Sequence, residues 1–65
     1  MPYVNIQITD TGVTREDKAR LIEGTTRLLW EVLGKDPAST FVVINEIGLD
    51  NWGVAGEQVS QRSKR

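Results

Sequence analysis

Residues 40–47, TFVVINEI, read as a strand that is apolar on both faces. Side chains alternate across a strand, so Phe41, Val43, Asn45 and Ile47 share one face and Val42, Ile44 and Glu46 the other. A strand of this kind is covered on both sides when folded. A chain of 65 residues holds little to cover it with. Residues 2–9, PYVNIQIT, form a second strand, with Val4, Ile6 and Ile8 on one face and Tyr3, Asn5 and Gln7 on the other. Only one long helix lies between the two. The order strand, helix, strand gives a connection long enough for a right-handed parallel crossover. One helix covers one face of such a sheet. The other face needs further copies of the chain, so oligomerisation follows from the patterning.

The helix runs through TREDKARLIEGTTRLLWEVLG, after the break DTGV. Thr14 is the N-cap, and Glu16 and Asp17 suit the positive end of the helix dipole. Leu21, Ile22, Thr25, Leu28, Leu29, Val32 and Leu33 follow helical spacing as one apolar stripe, with Trp30 beside it as further packing surface. Gly34 suits the residue after the last helical turn, and Pro37 blocks continuation. Gly24 in mid-helix costs about 1 kcal/mol relative to alanine, which implies close packing there. GLDNWGVAGEQ reads as a short hairpin or loop, and VSQRSKR as a polar basic tail, expected over residues 60–65. The whole of residues 1–65 reads as a single domain.

Composition narrows the means of stabilising so small a fold. A chain of this size buries only about 60% of its unfolded surface, and small folds are stapled by disulfides, metals or oligomerisation. There is no cysteine and no histidine, and the carboxylates lack the spacing of a calcium loop. No metal is expected, and oligomerisation is the staple left. No apolar run approaches the roughly 18 residues of a membrane span, and no leader pattern opens the chain. The expectation is a cytoplasmic protein that does not use membranes. A net charge of −1 does not suggest a nucleic-acid partner.

Pro2 opens the first strand, where a residue without a ladder donor is tolerated. If Met1 is removed, the Pro2 nitrogen is a secondary amine and the chain begins with a base. Pro2 after Met1, the opening PYVNIQI, the helix start REDKARLIEG, the strand FVVINEI and the segment DNWGVAGE together resemble the 4-oxalocrotonate tautomerase family, over roughly residues 2–60. The resemblance implies an α/β (α+β) fold. Its unit is a tautomerase/MIF-like β-α-β monomer with a short C-terminal hairpin, assembled as a homohexamer, a trimer of dimers. It implies no metal and no organic cofactor, removal of Met1, and Pro2 as the catalytic base or acid. An α-amino group titrates near 8, burial or a nearby cation lowers it, and a base poised near ambient pH works best.

The sequence also departs from the family. Relatives that act on dicarboxylates carry an arginine before the helix. Here that position falls on Gly12 or Val13, with a one-residue insertion between. A second family arginine, early in the second strand, falls on Phe41. The pocket aromatic is kept as Trp52. Arginine binds carboxylates bidentately, so a diacid is expected to be turned over poorly and a monoacid such as phenylenolpyruvate better. Arg15 lies nearest the gap, although a solvated first-turn residue is the simpler reading. Arg62, Lys64 and Arg65 in the tail are further cations. Asn45 and Asn51 are neutral donors better explained by sheet pairing and a turn, and Tyr3 by an interface. Glu46 and Glu57 have no spacing that fixes a common site.

Two functions fit. The first is a cofactor-independent tautomerase acting on a small carboxylic acid, a 2-hydroxydienoate or enolpyruvate. Pro2 would be the base, Trp52 and Phe41 would line the substrate, and Arg15 or backbone amides would lie on the electrophilic side; a hydratase, dehalogenase or decarboxylase is a variant of it. The second is a non-catalytic assembly protein that has lost the arginine handles, or a hetero-oligomer subunit paired with an arginine-bearing chain.

Overall fold

The computed structural model describes residues 1–62. Strand β1 is Tyr3–Thr9, helix α1 is Arg15–Leu33 and strand β2 is Phe41–Ile47. Two short strands, β3 (Gly53–Val54) and β4 (Glu57–Gln58), form the hairpin, and a helical turn, α2 (Val59–Arg62), follows. Short 3-10 turns at Pro37–Ser39 and Leu49–Asn51 flank β2. Residues 60–62 of the expected tail are therefore helical. Val59–Arg62 is helical because the Val59 N–H donates to the Trp52 carbonyl at 2.8 Å and so draws the chain back. The part of the tail that holds Lys64 and Arg65 lies outside the described residues.

The ends of α1 form as local chemistry dictates. Thr14 caps the helix reciprocally: its hydroxyl accepts from the Asp17 N–H, and the Asp17 carboxylate accepts from the Thr14 N–H, both at 3.1 Å. Gly34 closes the helix in the left-handed region at φ 68°, where an L side chain would be strained. Pro37 then starts a 3-10 turn capped by Asp36, whose carboxylate accepts from the Ala38 N–H at 2.9 Å.

β1 and β2 pair in parallel from Tyr3 against Phe41 to Thr9 against Ile47. The ladder continues past both ends. The Phe41 N–H donates to the Pro2 carbonyl at 3.0 Å, and the Asp10 N–H to the Ile47 carbonyl at 3.1 Å. On one face, Val4, Ile6, Ile8, Val42 and Ile44 are half-buried beneath α1, which brings Lys18, Thr25, Thr26 and Leu29 to intermediate burial. On the other face nothing among the described residues covers Tyr3, Phe41 and Val43, which are 62%, 49% and 41% exposed.

The apolar stripe on α1 is wider than the sheet beneath it. Thr25 and Leu29 turn toward the strands, while Leu21, Leu28, Val32, Leu33 and Trp30 stay exposed. Two strands are too narrow to meet the full stripe. Gly24 shows the same thing: a Cβ there would meet nothing within 4 Å, so the close packing its position implies is not found within this chain.

No residue among those described is fully buried. The radius of gyration is 15.0 Å and the extents are 45 × 24 × 15 Å, whereas a compact chain of this length would have a radius near 11 Å. The apolar surface of a folded protein is being presented for burial against something else. Light scattering at micromolar concentration is expected to report a multimer, with a hexamer the expected size. Val43→Asp, which puts a charge on the bare sheet face, is expected to shift the population to smaller species. A folded wild-type monomer would contradict the packing argument.

Candidate active site

The parallel ladder sorts the four sequence-predicted site residues into two groups. Pro2 immediately precedes β1 and Phe41 begins β2, so they sit side by side, joined by the Phe41 N–H to Pro2 carbonyl bond at 3.0 Å. Pro2 is half-buried, while Phe41 is 49% exposed on the bare face. Trp52 and Arg15 lie toward the opposite end of the sheet. Trp52 follows the 3-10 turn beyond β2, and Arg15 begins α1 after the loop that leaves β1. At the usual strand rise of about 3.3 Å, Pro2 is roughly 17 Å from Gln7, which sits beside Trp52.

Trp52 is held by its neighbours on both sides. Its carbonyl accepts from the Val59 N–H at 2.8 Å, and the Gln58 side-chain amide donates to the Asp50 carbonyl at 3.0 Å. The hairpin turn between these anchors carries Ala55 at φ 53° and Gly56 at φ 82°. Both central residues thus lie in the left-handed region that a tight, twisted hairpin requires. Trp52 itself is half-buried and borders a shallow hollow of about 230 Å³ with Gln7, Ile47, Asn51 and Gly53.

A larger cleft of about 520 Å³ lies between the end of β1, the loop after it and the first turns of α1. Val13 lines it, at one of the two positions where an arginine was expected. Arg20 lines it too, whereas Arg15, exposed at the start of α1, does not. Arg20 was not singled out from sequence, because its register relative to Val13 depends on where the helix packs.

Lys18 and Glu46 form an ion pair at 2.8 Å that ties α1 to β2, each side chain 33% exposed. A signal for it was available. Glu46 follows Val42 and Ile44 on the helix-facing side of β2, and a carboxylate there needs a cation from the helix. Glu57 is 3.8 Å from Arg62 instead. The two carboxylates thus serve different elements and do not form a pair. No group of acidic residues suited to a metal occurs among the described residues, nor is any helix there long and apolar enough to cross a membrane.

Residues 2–62 match the family described as tautomerase enzyme. The chain belongs to the tautomerase family. A probable tautomerase, K2, from Dickeya dadantii is 54% identical over 65 residues, which is all of this chain and 97% of the relative. A 2-hydroxymuconate tautomerase from Comamonas testosteroni is 38% identical over 56 residues, 86% of this chain and 87% of the relative. The crystal structure of DmpI from Helicobacter pylori is 38% identical, covers 98% of both chains and superposes with a TM-score of 0.89. The β-α-β core with its C-terminal hairpin is the fold of the 4-oxalocrotonate tautomerase structures, and the chain is a tautomerase-type isomerase.

In this tautomerase the Lys18–Glu46 pair is expected to matter to the fold more than the exposed Arg27–Glu23 pair on α1, at 2.9 Å. Lys18→Ala leaves Glu46, its side chain 33% exposed, without its cation and is expected to cost about 1 kcal/mol. Arg27→Ala is expected to cost no more than about 0.5 kcal/mol. Urea unfolding of the two variants checks the order.

Proposed function

We propose that this tautomerase is a cofactor-independent keto-enol isomerase whose base is the nitrogen of Pro2, acting on a 2-hydroxydienoate or enolpyruvate-type carboxylic acid. The observation that carries the reading is Pro2 at the head of β1, half-buried and fixed through its carbonyl to Phe41, in a chain of this family. Met1 is 85% exposed, so the fold does not depend on it. Its removal turns an amide nitrogen without a usable lone pair into an amine. The amine takes the enol hydroxyl proton, the C–O bond becomes a carbonyl, and the displaced electron pair moves to carbon. The prolyl ammonium then returns the proton to that carbon, so the nitrogen is regenerated.

Phe41, held to Pro2 by the backbone bond, would offer its exposed ring on the bare face to the substrate. Trp52 supplies the aromatic wall, and because the hollow it shares with Gln7 lies roughly 17 Å along the strand from Pro2 of the same chain, it serves the Pro2 of another copy. The site is therefore assembled between subunits, in a hexamer built as a trimer of dimers. A partner chain that carries the missing arginines would give the same architecture as a hetero-oligomer.

Pro2→Ala keeps an N-terminal amine but loses the ring, and it is expected to lower kcat/KM by about 100- to 10,000-fold, the range of a positioned general base. The assembly is expected to persist, because Pro2 contributes only its carbonyl to the ladder. A form that retains Met1, verified by intact mass, is expected to be inactive. In the processed enzyme kcat/KM is expected to rise with pH as the prolyl ammonium loses its proton. Assays with phenylenolpyruvate and 2-hydroxymuconate check all of these. Equal rates for the three forms would instead support the assembly-protein reading. Trp52→Ala is expected to lower activity with the oligomer intact; dissociation would make Trp52 a seam residue.

A further inference from the structure

We propose that Arg20 binds a substrate carboxylate, in the cleft between the end of β1 and the first turns of α1. The inference rests on the reading that the substrate is a carboxylic acid, and it names the group that recognises one. The cleft, about 520 Å³, has the size of a small-molecule site. Ile8, Val13 and Leu21 give it apolar walls, and Thr9 and Thr11 add hydroxyls at the end of β1. These walls suit the carbon chain of a dienoate, and the hydroxyls and a guanidinium suit its charged end.

Arg20 is available for that task. It makes no ion pair or hydrogen bond among the described residues, and the other basic side chains facing nearby acids are engaged: Lys18 with Glu46 at 2.8 Å and Arg27 with Glu23 at 2.9 Å. Asp17, the acid in the cleft, is held in the helix cap, where its carboxylate accepts from the Thr14 N–H at 3.1 Å. Glu16, one turn before Arg20, does not line the cleft. A planar guanidinium with all its donors unused, at the edge of an apolar cleft, is suited to bidentate capture of a carboxylate.

Val13 lines the same cleft. The guanidinium missing from the loop is thus supplied to the same place from the helix, which reverses the expectation that a diacid is handled poorly. The cleft begins at Ile8, roughly 20 Å from Pro2 of the same chain at the usual strand rise. No small dienoate spans that distance, so Arg20 serves the Pro2 of a second copy.

The test uses cis,cis-muconate, a diacid that has no enol to isomerise, with the monoacid sorbate as control. Binding to the assembled protein is followed by NMR, including the arginine Nε–H resonances. Wild type is expected to bind muconate more tightly than sorbate. Arg20→Gln is expected to weaken muconate by about 10- to 100-fold and close the gap, as loss of a charged hydrogen bond does. Arg20→Lys is expected to restore part of it, and Arg27→Gln to change nothing. For 2-hydroxymuconate, the KM is expected to rise in Arg20→Gln while the pH dependence set by Pro2 stays in place. Co-refolded Pro2→Ala and Arg20→Gln chains are expected to exceed either alone, since some sites then receive both groups. The proposal is overturned if Arg20→Gln binds muconate as wild type does, if wild type does not bind it, or if Arg15→Gln carries the loss instead. If muconate binding depends on Arg20 but wild type turns over neither enol, the carboxylate site stands and the proposed reaction falls.

Discussion

One helix cannot cover two faces of a sheet, and the rest of the molecule follows from that limit. The β1–β2 ladder is continuous from the Pro2 carbonyl to the Asp10 N–H, so the pair of strands is well formed as a backbone. Its side chains are not closed into a core. The bare face carries Tyr3, Phe41 and Val43, and the flanks of α1 carry Leu28, Val32 and Leu33. At roughly 25 cal/mol per Å², these surfaces are where a chain this small finds the stability that its interior cannot give.

The parallel direction of the strands has a chemical consequence. Parallel pairing gathers both N-terminal strand ends at one edge and both C-terminal ends at the other. Pro2 and Phe41 are therefore at one edge, while the Trp52 hollow and the Arg20 cleft are at the other. A hairpin-linked antiparallel pair would have mixed them. The same connection that makes the fold thus keeps the parts of the proposed site apart within each chain, so in the proposed assembly stability and site formation would depend on the same contacts between copies.

The elements legible in the sequence were those set by local rules. The Thr14 cap, the Gly34 stop and the alternation in both strands are decided by nearest neighbours, and they hold in the structure. The hairpin was legible as punctuation, because Gly53 opens it and Gly56 sits in its turn. What could not be read depends on how elements meet. Gly24 is open rather than packed within the chain, and the apolar stripe is divided between the sheet and solvent. Val59–Arg62 looked like a tail because its helical turn is held by a bond back to Trp52, a contact between residues far apart in the spacing rules. The candidate residues themselves were visible by type, but their grouping was not. Arg15 was closer to the gap in sequence, whereas Arg20 is in the cleft.

Why proline should be the first residue of the ladder can now be argued from the hydrogen bonds. The position uses only the carbonyl, which accepts from the Phe41 N–H at 3.0 Å. An ordinary residue there would present an N–H or an ammonium able to turn toward any acceptor. Proline has no amide N–H when acylated, and its ring fixes φ near −65°. Once Met1 is absent, the ring continues to fix the direction of the nitrogen relative to a carbonyl that the sheet already holds. The lone pair is then aimed by two constraints, one covalent and one from the ladder, and neither requires another side chain. This is how the proposed base can sit at the end of a sheet in which no described residue is buried and still be oriented: its geometry would come from the backbone pair that forms the fold, and in the proposed site only the groups that meet the substrate from the far side would be brought by another copy.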